Sequence, residues 1–167
     1  RRREALVNAA SRENQVFAEI AKMALGRWAS LEAKTLANAL EGIRNGETGS
    51  EIFLLGLLGA VIRYGSQPGF PQWLLERIGQ VALDYQYASW QKLAEPTETT
   101  TQDHEILLNT CQILAGQIYP NAVFSRNQFS GIQQRSQGEA RAVKMMHELR
   151  VKGFTEWDSR YRYTNTL

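Results

Sequence analysis

The sequence predicts an all-α fold, a compact bundle of five to seven helices around one buried central helix at residues 50–65. The first observation behind this prediction is that the stretch from Ile52 to Ile62 carries no charged side chain. Its apolar residues do not alternate with polar ones, and about three turns of continuous apolar sequence indicate a helix that is buried all round. The second observation is that no segment shows the sustained two-residue alternation of a half-buried strand.

The central stretch also carries the end signals of a helix. Ser50 suits the N-cap, Glu51 places a favourable negative charge in the first turn, and Gly65 suits the position after the last turn. Gly56 and Gly59 each lower the helix propensity by roughly 1 kcal/mol relative to Ala. We therefore expect another helix backbone to approach closely at both glycines. Because a membrane-spanning helix needs about 20 apolar residues, this shorter run predicts no membrane crossing.

Length and composition predict a single domain covering residues 1–167. A chain of 167 residues can bury about 70% of its unfolded surface without disulfides or a structural metal. The single cysteine, Cys111, excludes an internal disulfide and favours a reducing, cytoplasmic location. The chain opens without an initiator Met, which suggests a piece of a longer protein.

The N-terminal part predicts a mobile basic start, residues 1–4, and two helices before the central one. Ser11 suits the N-cap of the first helix, whose apolar positions recur at helical spacing. These inward positions are Phe17, Ile20, Ala21, Ala24 and Trp28, and the far side presents Arg12, Gln15, Glu19 and Lys22. The second helix begins near Ser30 and stops at the turn formed by Asn45 and Gly46.

The segment after the central helix opens with a strong breaker, residues 65–69. Pro71 suits the first position of the next helix, which could run to Leu93. Residues 95–101 form a polar loop, the best candidate for disorder in the chain. Thr100 or Thr101 caps a further helix that Pro120 ends, and residues 121–135 show no assignable pattern.

The last predicted helix begins at a capping box, with Ser136 at the N-cap and Glu139 at the third helical position. Gly153 fits its C-terminal end. The side chains predicted to be buried are Ala142, Met145, Met146 and Leu149. The C-terminal tail, residues 154–167, alternates basic and aromatic residues at 160–163.

No arrangement of residues predicts catalysis. No glycine-rich phosphate loop is present, and no acid–base constellation rises above background. His104 and Cys111 lie seven residues apart on one predicted helix, which is too far for a nucleophilic pair, and His147 belongs to another helix. A buried Cys111 and a surface His104 explain both residues without a metal. We therefore predict no enzyme activity, no cofactor and no bound metal.

The net charge of +2 is unevenly distributed along the chain. Residues 1–45 hold eight basic against five acidic residues, residues 46–119 hold three against eight, and residues 120–167 hold eight against four. Basic ends around an acidic middle favour a surface that faces a polyanion. Charge segregation of this size also occurs by chance in helical proteins, and that alternative stays open.

The candidate nucleic-acid contacts come from these basic ends. Arg141, Lys144 and Lys152 share one predicted helix face at a spacing that suits successive phosphates. Arg126 and Arg135 flank a polar approach to that helix, and the tail could stack on bases. Each group could equally be a solvated surface. The candidate residues are Arg12, Lys22, Arg126, Arg135, Arg141, Lys144, Lys152, Arg160 and Arg162.

One stretch resembles a known family. The run Leu40-Glu41-Gly42-Ile43-Arg44-Asn45-Gly46, followed by the apolar helix from Phe53, is similar to the helix, Asn-Gly turn and buried helix of the small subunits of CRISPR effector complexes. The resemblance covers residues 31–64. It implies a non-enzymatic bundle that stacks, in several copies, along a guide RNA-containing complex and contacts the target or displaced DNA or RNA strand. It implies no particular binding residue.

Two classes of function are therefore expected. The first is a helical subunit of a CRISPR-type ribonucleoprotein that contacts the nucleic-acid backbone and neighbouring subunits. The second is a protein-only adaptor or assembly domain without nucleic-acid contact. Salt dependence of single-strand binding separates the two, because backbone contacts release counterions.

Overall fold

The structure, a computed structural model, describes residues 1–12, 15–87 and 102–152. Among these residues there is no strand, and Val123 and Ser130 form one isolated antiparallel bridge. The predicted all-α class is therefore confirmed. The helices are α1 (Arg2–Ala10), α2 (Val16–Ala24), α3 (Ala33–Arg44), α4 (Ser50–Tyr64), α5 (Gln72–Asp84), α6 (Gln102–Ile118) and α7 (Gly131–Lys152), with a short 3-10 helix at Trp28–Ser30.

The chain divides into two compact units, residues 1–85 and 86–167. The first unit contains α1 to α5, and the second contains α6 and α7. The organisation of residues 1–167 as a single domain stays a prediction. The predicted polar loop, 95–101, and the predicted tail, 154–167, lie outside the described residues.

Helix α4 is the element around which the first unit packs. It contacts α2, α3 and α5. The burial of apolar side chains between α4 and these three helices is the main favourable contribution to the stability of the unit. The side chains that α4 buries are Ser50, Glu51, Leu54, Leu57, Leu58, Ala60 and Val61, and the neighbouring helices add Met23, Leu36, Ile43, Leu74 and Ile78.

The opposite side of α4 is only partly covered, so the prediction of burial all round is wrong. Phe53 is 36% exposed and Ile62 is 46% exposed. Both glycines of α4 are half-buried.

The predicted backbone approach at the two glycines of α4 is also wrong. A methyl group added to Gly56 would lie 2.9 Å from Ile20 Cδ1 and 3.0 Å from Phe17 Cε1, which are side-chain atoms of α2. One added to Gly59 would meet only Arg63 of its own helix, at 3.3 Å. The two glycines therefore leave room for neighbouring side chains, and no other helix backbone in the described part of the chain packs against them.

The predicted first helix, from Ser11 to Trp28, corresponds to the shorter α2, and Trp28 belongs to the separate 3-10 helix. A further helix, α1, precedes it and includes residues 2–4, so the expectation of a mobile start there is wrong. Ser11 follows the last turn of α1 and its hydroxyl donates to the carbonyl of Asn8 at 2.8 Å. Along α2 the expected burial is partly reversed, since Phe17 is 47% exposed and Glu19 is fully buried. The predicted stripe failed here because Glu19, although charged, has partners inside the unit.

Glycines in the left-handed conformation end α2 and α3. Gly26 has φ of 70° and Gly46 has φ of 67°. After each of them, the next backbone N–H turns back to the helix, from Arg27 to Lys22 at 2.9 Å and from Glu47 to Gly42 at 3.0 Å. This pattern is the Schellman motif, which needs a residue without a Cβ strain penalty. The end at Asn45 and Gly46 is as predicted.

Helix α5 ends at Asp84, nine residues before the predicted end at Leu93. Beyond it the backbone is extended at Tyr85. In the second unit, Tyr87 is 5% exposed and packs its ring edge-on against Phe124, with ring centroids 6.0 Å apart.

The second unit is built on a hairpin of α6 and α7 that packs through glycines. A methyl group on Gly116 would clash with the carbonyl oxygen of Gly131 and lie 2.7 Å from the amide nitrogen of Arg135. One on Gly138 would lie 2.8 Å from Ile113 Cγ1. The close backbone approach that was expected at α4 occurs in this hairpin.

Helix α7 begins at Gly131, five residues before the predicted N-cap at Ser136. The observed capping box is Ser130 and Gln133. The backbone N–H of Gln133 donates to the Ser130 hydroxyl at 3.3 Å, and the Gln133 side-chain oxygen accepts from the Ser130 N–H at 2.8 Å. Ser136 and Glu139 lie within the helix, so the predicted box was the right motif at the wrong serine.

Candidate nucleic-acid interface

Four of the nine predicted contact residues belong to α7. This helix carries five basic residues and two acidic ones. The periodicity of the helix divides its residues into two opposite seams. The inner seam faces α6 and includes Gln134, Gly138, Arg141 and Met145, and the outer seam includes Ile132, Ser136, Glu139, Val143, Met146 and Arg150.

Arg141 lies on the inner seam and enters a buried polar network. Its Nη2 donates to the side-chain oxygen of Gln112 on α6. The Gln112 amide in turn donates to Gln134 at 2.5 Å, and the Gln134 amide donates to Asn127 at 3.0 Å. Gln112 and Gln134 are each 1% exposed. Arg141 is half-buried, and its guanidinium joins α6 to α7 through this contact.

The electrostatics of Arg141 follow from this burial. Burial lowers the pKa of its guanidinium below the ordinary value, and the nearby negative charge of Glu105 opposes that shift. Its Nε is buried and has no hydrogen-bond partner among the described residues. A charged group held in this way would have to break the contact with Gln112 before it could bind a phosphate.

The other candidates on α7 do not share one face. Arg135 and Lys144 are nine residues apart, which places them on opposite sides of the helix. Arg135 is paired, with its Nε 2.7 Å from the carboxylate of Glu139. Lys144 is exposed, and Lys152 is the last residue of the helix. Of the predicted row of three phosphate contacts, Arg141 is held in the polar network and Lys144 is exposed, while the contact at Lys152 stays a prediction.

Arg126 is exposed on the connection between α6 and α7. This connection, which shows no assignable pattern in the sequence, is folded back on itself. The N–H of Phe124 donates to the carbonyl of Phe129 at 2.9 Å, and Gln128 adopts a left-handed φ of 61°. Phe124 is 1% exposed and anchors the loop. The loop therefore holds Arg126 in a defined place near the start of α7.

The candidates outside the second unit's helices have different outcomes. The Lys22 ammonium lies 2.7 Å from the Glu19 carboxylate, and its side chain is only 13% exposed, so its charge is satisfied within the first unit. Arg12 is exposed just after α1. Arg160 and Arg162 lie outside the described residues.

Arg150 is an exposed cation that the sequence prediction missed. The predicted row followed the helix face of Arg141, and Arg150 does not lie on that face. The sequence does contain a pattern that includes Arg150. The outer-seam residues recur at alternating three- and four-residue spacing, which is typical of a helix that contacts another helix. Val143 is 68% exposed and Met146 is 70% exposed on the same seam, which corrects the prediction that Met146 is buried.

Other chemistry is sparse in the described part of the chain. Cys111 is fully buried, and among the described residues no three His, Cys, Asp or Glu side chains gather as metal ligands. A shallow cavity of about 230 Å³ lies between α6 and α7 beside Gly116 and Ile132. Its charged lining residues are Arg135 and Glu139, which bind each other. This cavity presents no reactive pair of side chains.

Within the described ranges, no helix is both long enough and apolar enough to cross a membrane. No protein-family model matches the chain, nor does any curated protein or any solved structure. The resemblance to CRISPR small subunits therefore stays a prediction that these comparisons do not support.

Proposed function

We propose that the chain is a non-enzymatic helical subunit of a larger ribonucleoprotein assembly of the CRISPR effector type. In this role it contacts the nucleic-acid backbone through exposed cations and neighbouring subunits through exposed helix faces. The observation that carries the proposal is the composition of the α7 surface. This helix has a formal charge of +3 and leaves both Lys144 and the aliphatic side chains of Val143 and Met146 exposed.

The nucleic-acid part of the proposal rests on Lys144 and Arg126. Both are exposed in the second unit. Backbone binding needs cations that can approach phosphates but needs no base-reading geometry. Because only these two exposed cations make the proposed contact in each copy, the isolated chain binds weakly, and several copies side by side are needed for a useful affinity.

The test is single-strand binding across a salt series. Arg126→Ala with Lys144→Ala should weaken binding of DNA or RNA single strands of different sequence alike, and should lower the log–log salt slope by roughly 0.7 for each phosphate that is no longer neutralised. Lys34→Ala with Arg44→Ala is the matched control, because both residues are exposed and the charge change is the same. An equal reduction in affinity in both double variants would show nonspecific attraction and would contradict the proposal.

A protein-only adaptor is the second candidate. It is favoured by the fact that Lys22 and Arg135 are held in ion pairs and Arg141 in a polar network. Exposed apolar residues such as Phe17 and Phe53 would then serve protein partners alone. Single-strand binding that is absent at low salt, in parent and variants alike, would favour the adaptor.

A further inference from the structure

Helix α7 exposes aliphatic side chains on its outer seam and buries a polar side chain on its inner seam. Val143 and Met146 are 68% and 70% exposed, while the inner seam of the same helix buries Gln134 at 1% exposure. Aliphatic residues normally occupy the packed seam of a surface helix. Among the described elements, α7 makes its main packing contact with α6 alone. This face of α7 therefore has apolar side chains available for contact with another helix.

The order of residues along this seam is self-complementary. Glu139, Val143, Met146 and Arg150 are spaced by four, three and four residues, which is the spacing of a helix that packs lengthwise on another helix. All four are exposed. If a second copy of the seam lies antiparallel to the first, Val143 of one copy meets Met146 of the other. In that same register Glu139 meets Arg150 at both ends of the contact.

We infer that the outer seam of α7 is a two-fold pairing surface for a second copy of this chain, with the two α7 helices antiparallel. The apolar pairs form the centre, and two Glu139–Arg150 ion pairs close the ends. A parallel arrangement would instead place Glu139 against Glu139 and Arg150 against Arg150. The charge order therefore selects the antiparallel arrangement.

The residues that flank the seam are compatible with this contact. Ala140 is exposed and Ala142 is half-buried, and both are small enough to let two helices approach. Neither carries a charge that would face a like charge in the second copy. Glu139 already pairs with Arg135 of its own helix at 2.7 Å. A carboxylate has two oxygens and can accept from Arg150 of the second copy as well.

The length of the seam sets the strength of the pairing. From position 139 to position 150 the contact spans about three turns, roughly 17 Å of helix. A contact of this length buries less surface than a standard stable interface, which buries about 1,200–2,000 Å². The isolated chain therefore pairs weakly, and the pairing becomes effective where copies are held close together. The inference rests on the proposed function in this one respect, that an assembly brings copies together.

Sedimentation velocity without nucleic acid tests the pairing, so its result does not depend on the nucleic-acid proposal. The parent chain should shift from monomer to dimer between micromolar and millimolar concentration. Arg150→Glu should weaken dimerisation by at least about tenfold, since it places two like charges at each end of the contact. The combined swap, Glu139→Arg with Arg150→Glu, should restore it. Lys144→Glu is the control, because it makes the same charge change on the same helix off the seam.

A cysteine experiment tests the register independently of any charge variant. Val143→Cys chains mixed with Met146→Cys chains should form crosslinked heterodimers in preference to either homodimer, because position 143 faces position 146 only in the antiparallel pair. Cys111 is fully buried and does not compete. In a dilute monomer the Val143→Cys thiol should react freely with a thiol reagent.

Four outcomes would overturn the inference. These are a chain that stays monomeric at millimolar concentration, equal effects of Arg150→Glu and Lys144→Glu, preferred homodimer crosslinks, and a Val143→Cys thiol protected in the dilute monomer. The last result would show that another part of the same chain covers the seam.

Discussion

The carboxylate of Glu19 in α2 accepts the backbone N–H of Glu32, the residue that precedes α3, at 2.8 Å. The second oxygen of the same carboxylate lies 2.7 Å from the Lys22 ammonium. Glu19 is fully buried. One buried carboxylate thus satisfies both an otherwise unpaired donor at the start of α3 and a lysine of its own helix.

Replacing Glu19 with Ala should therefore destabilise the protein strongly. The change leaves the largely buried Lys22 charge and the Glu32 N–H without this partner, and breaking a buried pair from one side costs about 3–5 kcal/mol. Denaturant unfolding measures the decrease in the free energy of unfolding. Glu41→Ala, an exposed acid on α3, is the control and should stay within about 0.5 kcal/mol of the parent. An equal, small effect of both changes would contradict the structural role of Glu19.

The glycines of α4 and α6 should respond oppositely to the same methyl group. Gly116→Ala drives a Cβ into the backbone of α7, so we expect a decrease of about 1–3 kcal/mol or more in the free energy of unfolding. Gly59→Ala meets only the flexible end of Arg63 and should be neutral or stabilising by up to about 1 kcal/mol. Thermal and denaturant melts of the two single variants test this. A destabilising Gly59→Ala would restore the close approach predicted at α4.

Replacing Tyr119 with Phe should not destabilise the protein. Its hydroxyl oxygen is buried and has no hydrogen-bond partner among the described residues. Because an unsatisfied buried polar group costs about 1–3 kcal/mol, Tyr119→Phe should raise the free energy of unfolding or leave it unchanged. A clear decrease in stability would show that the hydroxyl is bonded in solution.

The advantage of Tyr119→Phe should also grow with pH. Burial raises the pKa of the Tyr119 phenol above its ordinary value of 10.0. The folded state therefore favours the neutral phenol. The stability of the parent protein is unaffected by ionisation of this group below pH 10, the ordinary pKa, and decreases as the pH rises through the higher pKa of the folded state. Subtracting parent from variant unfolding free energies, from neutral pH to above pH 10, isolates this group. A difference that stays constant with pH would contradict the raised pKa.

The fold was largely predictable from sequence because helix periodicity and turn residues are local signals. The α3 end at Asn45 and Gly46 is one such case. The start of α7 was missed because Ser130 and Gln133 form a capping box that a polar stretch conceals, while Ser136 and Glu139 show the same spacing inside the helix. Local patterns identify a motif without deciding which of two copies is used.

The candidate interface was less predictable because a charge count does not show where a charge finds its partner. The pairing of Lys22 with Glu19, three residues away, is a spacing visible in the sequence. The partner of Arg141 is Gln112, which is 29 residues earlier on another helix. No spacing rule connects those two positions, so the contact that holds Arg141 is visible only in the folded hairpin.

Arg141 and Lys144 should therefore differ in what their removal costs, although they were predicted to act together. Arg141→Ala deprives the buried oxygen of Gln112 of its donor, and we expect a decrease of about 1–3 kcal/mol in the free energy of unfolding. Lys144→Ala removes an exposed cation, so stability should stay within about 0.5 kcal/mol of the parent. In single-strand binding the order should reverse, with a lower salt slope for Lys144→Ala and an unchanged slope for folded Arg141→Ala. If Arg141→Ala lowers the slope and leaves stability unchanged, Arg141 leaves Gln112 to bind phosphate, and the original row of contacts on α7 is restored.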